Sequence, residues 1–222
     1  MYKESFLMAW ASLIANKLRS LLTMLGIIIV KQDIENSISS LGSNLLVVLP
    51  GAPRTPGARS SQGSMKSLKI SDYEAIAKLE GVKAASPMTN GSYVVIYQNK
   101  NWTTSVAGVN SNFQDVNNWT MTSGRFFSDK NVQNRERVAV VGQTVVKNLF
   151  TDEDPVGKEI RVKNIPFRVI GVLKSKGNGT MGNDQDDTVL IPYTTSMERV
   201  EGIDYLRRVY VVAKDDGGID RL

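Results

Sequence analysis

Neither cysteine nor histidine occurs anywhere in the 222 residues. The first absence excludes disulfides and thiol nucleophiles, and the second excludes imidazole as base or ligand. Together they remove thiolate and imidazole metal sites. A serine nucleophile takes its activation from a base that is ordinarily histidine, so triad chemistry is excluded with them. Aromatic residues are few, 7% of the chain. No Lys/Arg stripe with interleaved aromatics occurs, so the formal charge of +5, from 27 basic and 22 acidic residues, reads as a mixed solvated surface with no nucleic-acid partner. Long apolar runs are missing too. The longest, Leu21 to Val30, is half of the roughly 20 residues that cross a bilayer, and the mean hydropathy is −0.17.

Phosphate-loop chemistry fails at two positions. Gly157-Lys158 invites the reading, but that loop needs a glycine where Asp152 stands and a serine or threonine where Glu159 stands. The paired carboxylates Asp152 and Asp154 lie in a hydrophilic turn that gives no reason for a raised pKa. Asp184, Asp186 and Asp187 suggest calcium, yet the spacing and closing glutamate of the EF-hand loop are absent. No catalytic, cofactor-binding or metal-binding residue is therefore assigned, and no cofactor is expected.

What is present begins with an amphipathic pattern. Phe6, Leu7, Trp10, Leu13, Ile14, Leu18, Leu21 and Leu22 recur at helical spacing, with Lys3, Lys17 and Arg19 among them. Residues 1–30 read as an interfacial helix running into a shortened first transmembrane helix. A secretory signal peptide and a core helix are the competing readings, the former lacking a small-x-small cleavage site. Lys17 and Arg19 before the apolar run place the N-terminus in the cytoplasm by the positive-inside rule, with the chain after about residue 31 outside.

Beyond this the chain alternates helix and strand. Residues 32–41 read as a polar helix, 44–49 as a strand, and 50–67, rich in Gly, Pro and Ser, as a loop. Ser71 and Glu74 form a capping box for a helix through Leu79. Strands are expected after Val82, over Tyr93–Tyr97 and Thr103–Val109, at Val138–Val141, from Glu159 and from Phe167. A helix over 144–150 is stopped at Asp154-Pro155, and Asn164-Ile165-Pro166 turns the chain. A strand near Val189 precedes a helix from about Ser196, Val209–Ala213 is the last strand, and a further helix opens after Asp215. Trp102, Trp119, Tyr93 and Tyr97 are read as core aromatics, the alternative being a ligand groove.

The most specific signal is a series of motifs: Gly124-Arg125-Phe126-Phe127, Val138 to Gly142, Leu149-Phe150, Asp154-Pro155-Val156-Gly157-Lys158 and Ile170-Gly171-Val172. In this order and spacing they resemble the extracytoplasmic domain of MacB-type ABC transporter permeases, the family that includes FtsX-like and lipoprotein-releasing permeases. Leu41 to Val48, Val82 to Pro87 and Gln185 to Thr195 resemble the same family, so the likeness covers most of the chain.

The resemblance implies an α+β architecture: an N-terminal membrane-associated helix, then a two-part mixed α/β extracytoplasmic domain over 31–222. A membrane-proximal βαβ part over about 31–109 and 188–222 would receive an inserted, mainly β part over about 110–187. It implies a non-enzymatic permease subunit in the cell (inner) membrane, working as a homodimer with an ABC ATPase. With nothing ahead of Met1, that ATPase is expected as a separate chain. The domain would transmit ATPase-driven motion to expel a substrate such as a macrolide, peptide or lipoprotein, with an extracytoplasmic adaptor or substrate protein as a further partner. The alternative from another class is a membrane-tethered binding or sensor module without transport.

Overall fold

The computed structural model describes residues 45–51, 66–151, 153–179 and 182–214. The amphipathic helix and shortened span over 1–30, the helix over 32–41, most of the Gly/Pro/Ser loop and the helix after Asp215 lie outside them. Among the described residues no helix is long and apolar enough to cross a membrane.

Among the described residues nine strands and five helices follow in order: β1 (Leu45–Val48), α1 (Ile70–Ala77), β2 (Val82–Tyr97), β3 (Lys100–Val109), α2 (Phe113–Val116), β4 (Met121–Gly124), α3 (Asp129–Gln133), β5 (Val138–Val141), α4 (Gln143–Leu149), β6 (Glu159–Val162), β7 (Ile165–Leu173), β8 (Thr188–Pro192), α5 (Tyr193–Thr195) and β9 (Arg208–Ala213). A π-helical turn, Ser196–Glu201, continues α5.

Six strands close on themselves. β2 pairs antiparallel with β3, β3 parallel with β8, β8 antiparallel with β5, β5 parallel with β7, β7 antiparallel with β6, and β6 returns to β2 at Val95↔Val162. Because side chains alternate between faces, each strand sends every second residue into this barrel. Val95, Val106, Val141, Ile160, Phe167, Val189 and Ile191 fill it, and Val145, Leu149 and Phe150 of the α4 segment join the same core. The other face is also covered: Val109, Val138, Val140, Ile170 and Leu190 meet Phe113, Trp119, Phe127 and Val132. Burial on both faces is why Val138–Val141 is an unbroken apolar run rather than an alternating one.

An open sheet leaves the barrel through β2. Its first half pairs with β9, and β9 pairs with β1. α1 lies over it, Ile70, Tyr73 and Ile76 meeting Leu68, Val82, Ala85, Leu206 and Val211. The described residues fall in one compact unit that begins at Gly42.

Four boundaries differ from the sequence reading. α1 starts at Ile70, and its first turn is held by Asp72, whose carboxylate accepts the Lys69 N–H at 2.8 Å; Ser71 and Glu74 form no box. α4 ends at Leu149, because Phe150 turns into the core and Thr151 takes φ 57°, ahead of Asp154-Pro155. The β6–β7 turn is Lys163-Asn164, both at positive φ (53° and 66°), so Ile165 and Pro166 already pair in the ladder. Paired positive φ values match the twist of a tight hairpin. The helix after β8 begins at Tyr193, with no capping side chain before it.

Candidate functional site

The five motifs converge on one strand. Gly124 of β4 pairs with Gly171 of β7, and a Cβ on Gly124, which has φ +69°, would lie 2.2 Å from the Ile170 carbonyl oxygen. A Cβ on Gly171 would lie 2.5 Å from the Arg125 carbonyl oxygen, so both positions exclude any larger residue. Phe126 and Phe127 stack with centroids 4.3 Å apart. Val138–Val141 is β7's parallel neighbour, and Leu149 and Phe150 share a core with Phe167 and Val169. Asp154 accepts the Val156 N–H at 3.0 Å, and in the turn it sets up Gly157 donates to the Val169 carbonyl at 2.8 Å. The motif is therefore packing and turn geometry around β7.

The loop between β7 and β8 is the other organised feature. Asp186 is buried, and its carboxylate accepts the Ser175 hydroxyl and the amides of Lys176 (2.8 Å) and Gly177 (3.1 Å). Asp184 accepts the Asp186 amide at 2.8 Å and the Thr144 hydroxyl at 2.6 Å, while Asp187 accepts the Trp102 indole N–H at 2.8 Å. These three carboxylates, suggestive of calcium in sequence, thus each serve protein donors. Among the described residues no group of three acidic side chains is placed to hold a metal. The Lys176 ammonium lies 4.4 Å above the Trp119 ring and donates to the Asn117 carbonyl. Burial pushes its pKa below the usual lysine value, partly opposed by Asp186.

Trp119 and Tyr97 are core residues, Tyr97 tilted against Phe150 at 4.3 Å, while Trp102 and Tyr93 are only partly covered. The Tyr97 hydroxyl donates to Glu153 at 2.8 Å, which holds that carboxyl below its ordinary range, assisted by Lys158. Asp154 makes its turn, and Asp152 lies outside the described residues. Sequence reasoning missed a polar group where β2 meets the segment after α5: the buried Thr89, Ser196 and Glu201 side chains, with the half-exposed Arg207 beside them. Nothing in the run Ser196 to Gly202 distinguishes Glu201 from a solvent-facing helix residue, since its burial depends on strands far away in sequence.

A closed barrel joined to an open sheet, with its motif residues spent on packing, defines a structural module of mixed α/β type. The comparisons identify which. A family model described as the MacB-like periplasmic core domain matches residues 21–222, and the chain belongs to that family. The macrolide export ATP-binding/permease protein MacB of Rhodospirillum rubrum is 41% identical over 235 residues, covering 99% of this chain and 36% of that protein. The protein of the same name from Chlorobium luteolum is 37% identical, covering 96% and 34%. The chain thus spans about a third of the length of these curated relatives. The crystal structure of the periplasmic region of MacB from Actinobacillus actinomycetemcomitans superposes with TM-score 0.69 at 27% identity, covering 81% of this chain and 78% of that one. The extracellular domain of the noncanonic ABC-type transporter YknZ from Gram-positive bacteria shares the fold, with TM-score 0.66 at 20% identity and coverage of 80% and 88%.

Proposed function

We propose that this chain is the extracytoplasmic domain, with its leading membrane segment, of a MacB-type ABC transporter permease. In this reading an ABC ATPase in the cytoplasm drives the membrane helices, and the domain turns that motion into expulsion of a substrate on the outer side. The observation that carries it is the family match over 21–222 together with identities near 40% to proteins named for macrolide export. Residues 1–30 associate with the inner membrane, the chain beyond about 31 is extracytoplasmic, and two permease copies work together. The division into a membrane-proximal part and an inserted part over about 110–187 belongs to the same proposal, as does an ATPase on a separate chain.

A transmitter of motion needs a rigid body and a defined attachment. The barrel core supplies rigidity, as close-packed interiors do. The test is reconstitution of the complete gene product in proteoliposomes with its ATPase. Export of erythromycin, or of another candidate substrate, is expected to require ATP and to be lost when residues 66–214 are deleted. Ligand binding without any nucleotide-dependent movement of solute would overturn the transport reading in favour of a tethered sensor.

A further inference from the structure

β2 belongs to two sheets, and the change is abrupt. Val82 to Met88 pairs with β9, and Thr89 to Tyr97 pairs with β3. Among the described residues the chain passes between barrel and open sheet at one other place, the segment 193–207 that joins β8 to β9. The two crossings touch. Arg207 donates its N–H to the Met88 carbonyl at 3.0 Å, and the Thr89 and Ser196 hydroxyls lie 2.9 Å apart. Ser196 gives its single proton to Glu201 at 3.0 Å, so Thr89 is the donor of the pair. A Cβ on Gly108 would lie 2.4 Å from Ser196 Cβ and 2.5 Å from Thr89 Oγ1, so the helical segment sits directly on the strand pair.

Charge fills this seam. The Glu201 side chain is 2% exposed, and Arg207 Nη2 stands 3.6 Å from its Oε2, too far for a hydrogen bond. Glu201 Oε2 and Arg207 Nε are both buried without a hydrogen-bond partner. Buried polar atoms are nearly always paired, and here an acceptor and a donor are left over on two side chains already 3.6 Å apart. Glu201 also ends a π-helical turn, one residue away from α-helical register. Relaxing that turn would rotate Glu201 by about 100° around the helix axis. The seam therefore has a second arrangement within reach, with carboxylate and guanidinium paired and the Ser196 contact given up.

We propose that Thr89, Ser196, Glu201 and Arg207 form a latch at the Met88–Thr89 step of β2. Closed, as observed, it fixes the open sheet against the barrel. Opened, it lets the two change their angle. The idea deepens the reading of the domain as a transmitter of motion, but its test is independent of transport.

Because the chain has no cysteine, Leu79→Cys and Val94→Cys accept spin labels at unique sites, both about half exposed. Leu79 follows α1 on the open sheet, and Val94 lies on the barrel half of β2. Electron–electron double resonance on the full 222-residue chain gives the distribution of distances between them. The parent is expected to show one narrow peak. Ser196→Ala, which removes the closed contact and no charge, is expected to add a second peak or broaden the first, while unfolding in urea stays cooperative. Adding Glu201→Gln to it, which removes the charge that the second arrangement pairs with Arg207, is expected to restore the single narrow peak. A distribution unchanged in folded Ser196→Ala overturns the latch, and should the double variant fail to fold, Ser196→Ala alone decides the matter. Unchanged distances leave the transport reading intact, and absent transport leaves the latch intact.

Discussion

Thr151 is β-branched and sits at φ 57°, directly after the Phe150 that caps α4. Left-handed backbone crowds a Cβ against its own carbonyl by about 1–2 kcal/mol, and helices usually place glycine at this position. What Thr151 gains in return is one exposed hydrogen bond, from Lys100 to its hydroxyl. Such a bond at the surface contributes little. Thr151→Gly is therefore expected to stabilise the protein by about 1 kcal/mol, net of the extra freedom glycine gives the unfolded chain. Equilibrium unfolding in urea measures it. A loss of stability would mean that the Lys100 contact outweighs the backbone strain.

At the scale of elements, α1 separates two accounts of one helix start. Sequence spacing assigns the cap to Ser71 and Glu74, whereas the structure assigns it to Asp72 on the Lys69 amide. Asp72→Ala is expected to cost about 1 kcal/mol, the usual value for a lost N-terminal cap, and Ser71→Ala a few tenths at most. Equal losses in the two urea titrations would show that neither side chain holds the turn. The displacement by two residues is instructive. Local pattern found the helix, but Leu68 and Ile70 had to reach the core under the open sheet, and that tertiary demand set the first turn. The same division runs through the chain. Val138–Val141 was legible as a short apolar run and Glu159–Val162 by its alternation, both local signals, although the turn after the latter falls at Lys163-Asn164. β2 was read only in its two ends, after Val82 and over Tyr93–Tyr97, and not as one sixteen-residue strand, because its halves answer to partners about a hundred residues apart, β3 and β9. Glu201 was illegible for the same reason. The motifs, read as a family likeness, turned out to encode the packing around β7, which is why they identify the fold and say nothing of a substrate.

For the molecule as a whole, the absence of histidine fixes a pH profile. No side chain has an ordinary pKa between 5 and 8, so neutral pH should be a plateau of stability. The acid side is different. Tyr97, and then Lys158, hold Glu153 below its usual range, and Lys69 does the same for Asp204, to which it donates at 2.6 Å. A carboxyl whose folded pKa is depressed stabilises the fold fully above its unfolded pKa of about 4, and that contribution disappears as pH falls through the lower folded value. Both carboxylates are exposed to solvent, so each contribution is modest and screened by salt. The urea midpoint is therefore expected to stay level from pH 8 to about pH 5 and to fall below about pH 4. Tyr97→Phe removes the hydroxyl that donates to the Glu153 carboxylate, so its deficit relative to the parent should be present at pH 7 and should shrink as the solution is acidified past the carboxylate range. The packing of the Tyr97 ring against Phe150 is retained by phenylalanine, so a deficit constant at every pH would assign the effect to packing rather than to the carboxylate.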